Sequence, residues 1–425
     1  MLSFVRRFDF ILAVILTLAY AYQLVYLFIG LARRHRRALT KAPGGLHRYA
    51  AVISARNEAN VIAGLIQSLK AQDYPSDRLD IYVIADNCTD DTADVARQAG
   101  AFVYERFNKV QVGKGYALDY LFRRLRTEGR DVYDAFFVFD ADNYVDPGFV
   151  AAMDRTFSTG RYDALTCYRN SKNFGDNWIS AGYGLWFLRE ARFLNAPRMA
   201  LGTNCHVSGT GFLVSAKVVR ENGGWPFHLL TEDIEFSISS AIQGRRIGYC
   251  EDAVIYDEQP VTFQQSWDQR LRWSKGFYQV DLKYGIDLMK NCLKGGRKGF
   301  SCYDMLMTVA PGMLLTLLGI VFNAFVLFAC VAEPTYLAHL VVRETTHFLT
   351  MAVVNFYLGL FLFGVMTTIT EWKQIHISTG RKLLYLFTFP IFMFTYVPIS
   401  VAALVRRVEW KPIYHGAGRS LRAQE

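Results

Sequence analysis

Long apolar blocks flank a polar middle in this chain, and their lengths set its organisation. Residues 10–32 read FILAVILTLAYAYQLVYLFIGLA, long enough to cross a hydrocarbon core about 30 Å thick. Further apolar blocks cover roughly residues 305–332, 348–370 and 383–405. Between them, Lys41 to Ser301 has no run of comparable length and is expected to fold as one domain held between membrane segments. Ala19-Tyr20-Ala21 mimics a signal cleavage site, but the apolar run continues past it into the basic cluster Arg33–Arg37. That pattern predicts an uncleaved anchor, with its basic flank in the cytoplasm and its N-terminus outside. The other end carries a conflict. Three spans after the domain would put the C-terminus outside, whereas Arg406, Arg407, Lys411, Arg419 and Arg422 favour the inside. Pro390 and Pro398 interrupt the last block, which could instead enter and leave on one side, buried against protein.

Within the polar middle, Tyr49–Ile53, Leu79–Ala85, Ala101–Tyr104 and Ala135–Phe139 are apolar runs of strand length. Helical patterns separate them, as at Gly115–Arg126, where Leu118, Leu121, Phe122 and Leu125 share one side. Strands alternating with helices predict an α/β fold with a mostly parallel sheet. Ligands of such sheets bind beyond the carboxyl ends of the strands. Polar residues stand at those ends: Arg56–Glu58, Asp86-Asn87 and Asp140–Asn143. The expected division is an anchor with its basic flank (1–40), a cytoplasmic domain (41–261), an amphipathic interface region (262–303), a membrane region (304–406) and a basic tail (407–425). Trp178–Leu194 and Phe263–Tyr278 carry aromatic and cationic residues at helical spacing, which predicts helices lying in the interface plane. For the first of these, a packed core helix explains the pattern as well.

Composition changes this picture little. The chain has 425 residues, 52% of them hydrophobic, and a net charge of +9. The cations cluster beside apolar runs, so membrane orientation accounts for them and nucleic acid is not an expected partner. Seven scattered cysteines without a CxxC pair indicate reduced cytoplasmic thiols rather than a metal site or disulfides.

Candidate chemistry follows the strand ends. FDADN places Asp140 and Asp142 directly after an apolar strand. Two such carboxylates repel each other, and a hard divalent ion bridging to phosphates removes that repulsion; a solvated acidic turn is the plainer account. Lys114 lies between glycines at a helix start, a position suited to an anion but also to an ordinary surface lysine. Gly209-Thr210-Gly211 allows close backbone approach to a ligand, or a tight turn between strands. Thr231, Glu232 and Asp233 open a helix, where capping is the simpler reading of a TED sequence. In SWDQRLRWSK, residues 266–275, Gln269, Arg272 and Trp273 share one helical face, as they would on an interfacial helix.

The order SARNE, DNCTDDT, GKG, FDADN, GTGF, TED, QRLRW, running from about Tyr49 to Phe277, resembles the membrane-embedded family 2 glycosyltransferases. That group includes the cellulose, chitin, hyaluronan and poly-N-acetylglucosamine synthases. The resemblance implies a GT-A fold, a UDP-sugar donor and a divalent metal, Mg²⁺ or Mn²⁺. It implies donor or nucleotide binding by Ala55, Glu58, Asp86, Lys114, Asp140, Gln269 and Arg272, with Asp140 and Asp142 at the metal. Asp233, with Glu232 and Thr231 beside it, resembles the general-base element. Trp273, with Gly209, Thr210 and Gly211, resembles the acceptor side.

Such an enzyme would extend a β-linked polysaccharide at the plasma membrane with inversion at the sugar carbon, and would pass the product outward. The alternative is single transfer to a lipid acceptor. A scaffold that kept only the fold would be expected to have lost Asp140, Asp142 and Asp233, and all three are present. One span precedes the domain, so a homo-oligomer or an export partner could be needed to complete a polymer channel.

Overall fold

The structure, a computed structural model, describes residues 2–32, 45–309, 311–332 and 335–409. The basic cluster Arg33–Arg37, the segment Lys41–Gly44 and, in the tail, Lys411, Arg419 and Arg422 lie outside the described residues. Strands β1 (Tyr49–Ala55), β2 (Leu79–Asp86), β3 (Phe102–Arg106), β4 (Ala135–Asp140), β5 (Tyr144–Val145), β6 (Ala164–Ser171), β7 (Phe212–Ser215) and β8 (Ile247–Asp257) form one sheet in the order β3-β2-β1-β4-β7-β6-β8-β5. The first half of this order, β3 to β4, is parallel. β7 reverses against both β4 and β6, and β6 and β8 run parallel again.

The helices, in chain order, begin with α1 (Leu2–Tyr20), α2 (Tyr22–Ala32), α3 (Ile62–Lys70), α4 (Thr92–Gln98), α5 (Lys114–Thr127), α6 (Phe149–Phe157), α7 (Trp178–Glu190) and α8 (Ala196–Leu201). They continue with α9 (Ala216–Glu221), α10 (Glu232–Gln243), α11 (Phe263–Cys292), α12 (Gly296–Val309), α13 (Pro311–Ala332), α14 (Tyr336–Thr370), α15 (Thr379–Phe394) and α16 (Tyr396–Val405).

Both faces of the sheet are buried, so its central strands are apolar at successive positions rather than alternating. Tyr49, Ala51, Ile53, Phe137 and Phe139 pack under α3 and α6. Ala50, Val52, Phe136 and Val138 face α5, α7 and the fully buried Trp225. Ile375, Tyr385 and Phe389, the last two on α15, belong to this second core layer. The apolar helices are therefore welded onto the sheet domain.

Among the described residues, three helical segments are long and apolar enough to cross a membrane: Leu314–Ala332, Tyr336–Thr370 and Thr379–Val405. The first apolar block, expected as an uncleaved anchor over residues 10–32, is not a single straight helix. It is α1 and α2, bent by 41° at the break. The cause is tertiary: Tyr20 Oη donates to the Met307 carbonyl at 2.8 Å, and Tyr22 and Tyr26 each donate to the Asp304 carboxylate at 2.8 Å. In the block expected from residue 305, α12 packs on α10 and α11 through Met305 and Val309. α7 is buried on nearly every face and continues through a π-helical turn, Ala191–Asn195, so it is a packed helix.

Candidate active site

The ends of β1, β2, β4 and β8 deliver polar groups to one cavity of about 830 Å³. β1 leads to Asn57, held in the left-handed region at φ 59°, and then to Glu58. Asn57 Oδ1 accepts from the Thr89 amide at 2.8 Å, which supports that strained turn. β2 ends in Asp86, whose carboxylate takes a 2.6 Å bond from the buried Arg106. β4 ends in Asp140, and the chain then turns to Asp142, which accepts from the Glu258 amide at 3.1 Å. Lys114 Nζ, at the start of α5, donates to Asp140 at 2.5 Å and to the Gly209 carbonyl at 2.7 Å. Glu232 and Asp233 open α10, while Gln269, Arg272 and Trp273 project from α11. Asp140, Asp142, Asp233 and Trp273, which come from distant parts of the chain, line the same space.

Capping does not explain the TED segment. Thr231 occupies the N-cap position without a side-chain cap bond, and its buried Oγ1 has no partner. α11 approaches it so closely that a Cβ at Gly276 would stand 2.5 Å from Thr231 Cγ2. Glu232 and Asp233 are both raised, first by burial. The charge of Asp233 adds to the shift on Glu232, which reaches about 8. Glu232 therefore holds a proton at neutral pH. Burial opposes the Lys114 ammonium, but Asp140, Glu232 and Asp233 outweigh it and raise its pKa. Burial lowers the pKa of Arg272, against the pull of the same three acids.

The acids at the strand ends fit a cation. Glu58 is pushed up to about 9 by burial and then by the charges of Asp142 and Asp140. Among the described residues no three His, Cys, Asp or Glu side chains converge as a ready metal cage. Two carboxylates on one cavity wall suit a hard divalent ion that shares its shell with phosphate oxygens.

Three of the expected contact residues do not line this cavity. Ala55 is buried at the end of β1 and does not line the cavity; its carbonyl faces the Cys88 thiol at 3.5 Å. Thr210 is buried behind the site, where its Oγ1 accepts the Asp140 amide at 2.9 Å and bonds Asn143. Gly211 sits at φ 66°, and a Cβ there would meet Cys167 Sγ at 2.5 Å, so it packs into the core. Of that turn, only Gly209 lines the cavity. In the α11 motif Arg270 faces away from it, wholly buried, and donates to the Phe392 carbonyl at 3.1 Å and Thr395 Oγ1 at 2.6 Å.

Sequence reasoning missed other lining residues. Arg169 pairs with Asp257, its Nε 2.6 Å from the carboxylate, and both face the cavity. The signal was available, because Asp257-Glu258 follows an apolar strand as Asp140 does. His206 and Glu190, 3.3 Å apart, also line the space; nothing in their local sequence marks them.

A family model described as glycosyltransferase like family 2 matches residues 47–276. The chain is 27% identical over 242 residues to a beta-monoglucosyldiacylglycerol synthase of Synechocystis, covering 55% of this chain and 48% of that one. It is 24% identical over 243 residues to a poly-beta-1,6-N-acetyl-D-glucosamine synthase of Staphylococcus aureus, covering 56% of this chain and 57% of that one. The chain thus spans about half the length of these relatives. Among solved structures it shares a fold with the mannosyltransferase PcManGT of Pyrobaculum calidifontis, in complex with GDP-Man and Mn²⁺. The TM-score is 0.56 at 16% identity, over 93% of this chain and 99% of that one.

Proposed function

The chain belongs to glycosyltransferase family 2, and we propose that it transfers one sugar from a UDP-sugar to the hydroxyl of a membrane lipid. The observation that carries this is the extent of the cavity. The space that holds Asp140, Asp142 and Asp233 is also lined by Leu16, Leu317 and Phe356 of three apolar helices, α1, α13 and α14. An acceptor with an apolar tail fits such a wall.

In this reading Asp233 takes the proton of the acceptor hydroxyl. The hydroxyl oxygen bonds to the sugar C1, the bond from C1 to the diphosphate oxygen breaks, and the nucleoside diphosphate leaves with the electron pair. Attack opposite the leaving group inverts C1. Lys114 and Arg272 neutralise charge on the departing diphosphate. Asp140 and Asp142 would hold Mg²⁺ or Mn²⁺, which when bound supplies further neutralisation of the phosphates. Asp86 and Glu58 stand where the nucleoside would lie. The unpartnered buried oxygens Gln269 Oε1 and Thr231 Oγ1 await donors that sugar hydroxyls can supply. The catalytic domain, with the unpaired thiols of Cys88, Cys167, Cys205 and Cys250, would face the cytoplasm in a plasma-membrane protein of several spans.

A second reading has its own support. Trp186, Phe187, Trp273 and Tyr396 line the same cavity and offer flat surfaces for successive pyranose rings, as polysaccharide extension would need. The decisive experiment supplies purified protein in lipid with a panel of UDP-sugars and Mg²⁺ or Mn²⁺, and follows released UDP and product size. A glycolipid of one added sugar supports the first reading, a long polymer replaces it with the second, and absence of UDP release with every donor rejects both.

A further inference from the structure

The cavity wall carries several arginines, and one differs from the rest. Arg169 is paired with Asp257, and Arg198 holds Asp304 through bonds of 2.6 and 2.9 Å. Arg272 stands in the field of Glu232, Asp140 and Asp233. Arg189, the penultimate residue of α7, has no carboxylate within ion-pair distance among the described residues. Its neighbour Glu190 is committed to His206 at 3.3 Å and to Ser208. What Arg189 does have is one long bond, 3.5 Å, to Gln23 Oε1 of α2. Its guanidinium also lies 5.0 Å from the Trp186 ring centre and 5.1 Å from that of Phe363 on α14.

A guanidinium presents five N–H donors in a planar fork. Arg189 lines the cavity, and two aromatic faces hold the guanidinium plane. Burial lowers the Arg189 pKa to about 10, so the group stays cationic at neutral pH. A half-buried cation on a wall shared with apolar helices gains from an anion that meets it, and ionisable groups in that setting commonly mark ligand sites. The groups around it are Gln23, Trp186 and Phe363, with Glu190, Tyr22 and Arg198 also in its field, and Leu16 and Phe356 line the same cavity. Fork geometry selects a phosphate or carboxylate, and the apolar wall selects a tail.

We infer that Arg189 is the head-group anchor of the acceptor subsite and that the acceptor is an anionic lipid, bearing a phosphate close to the hydroxyl that receives the sugar. This rests on the lipid-acceptor reading above. Arg189 touches no reacting atom, so its effect belongs on acceptor KM rather than on kcat.

The test uses the full chain in detergent micelles with three probes. Phosphatidylglycerol carries both hydroxyl and phosphate, diacylglycerol carries the hydroxyl alone, and glycerol 3-phosphate lacks the tails. Phosphatidylglycerol should outperform diacylglycerol by about 10- to 100-fold in kcat/KM, the range lost with one charge-assisted contact. Arg189→Gln should raise the phosphatidylglycerol KM by a similar factor and erase that preference, and Arg189→Lys should restore part of it. Native mass spectrometry of the unaltered chain, which depends on no variant, should retain phosphatidylglycerol over diacylglycerol. Equal use and equal retention of the two lipids would overturn the inference while leaving glycolipid synthesis intact. Glycerol 3-phosphate competing as well as the lipid would reduce the site to one for free phosphate. Polymer formation with no lipid glycosylated would remove the underlying reading as well.

Discussion

Asp304→Asn is the sharpest probe of how the membrane helices are tied to the enzyme. Asp304 is fully buried and accepts four bonds: 2.6 and 2.9 Å from Arg198, and 2.8 Å each from Tyr22 and Tyr26. Burial opposes its charge, but Arg198 and the two hydroxyls outweigh that and hold its pKa below the ordinary value. The amide keeps the shape and removes the charge, leaving Arg198 cationic, 1% exposed and without its counter-ion. Breaking one side of such a pair costs about 3–5 kcal/mol. Unfolding from micelles is treated as irreversible, so the quantity to measure is a rate. If half the loss, about 2 kcal/mol, appears in the unfolding barrier, inactivation should run roughly 30-fold faster. The assay is residual transferase activity after timed heating, with tryptophan fluorescence in parallel. Arg198→Met combined with Asp304→Leu replaces both charges with apolar groups and should recover most of the lifetime. A single variant within about threefold of the parent, or a double variant no better than the single, would refute the reasoning.

Other outcomes follow from the same geometry. Asp233→Asn should lower turnover by about 10²- to 10⁴-fold while calorimetric donor binding changes little; unchanged turnover removes Asp233 from the base role. Trp273→Ala should reduce acceptor use more than donor hydrolysis, and equal losses would end the stacking role. Asp233 must be ionised to act, and burial raises its pKa, so activity should fall on acidification at a pH above the ordinary aspartate range. Glu232 loses its proton near pH 8, so Glu232→Gln should remove an inflection there from the kcat/KM profile and keep the acid limb; an inflection that persists would assign it elsewhere.

The residues most readable from sequence were those whose role is local. Asp86 and Asp140 end apolar strands, and β1, β2 and β4 announce themselves because both faces of the sheet are covered. Short β5 and β7 carried no such signal, since two to four residues show no period. The bend between α1 and α2 was hidden because tyrosine bonds to residues nearly 300 positions away cause it. Thr210 and Gly211 looked like ligand contacts because a GTG sequence suits a turn and a binding loop equally; only the packing of Cys167 and Asn143 separates them. Arg189 was legible as an aromatic-flanked cation, but its lack of an acidic partner is a property of the folded neighbourhood.

The union of Tyr385 and Phe389 with the sheet's own apolar layer has a practical corollary. A fragment cut before the hydrophobic tail-end helices would bare part of that layer to solvent and is expected to aggregate. Work on this polypeptide has to keep it whole, in amphiphile, from extraction onward.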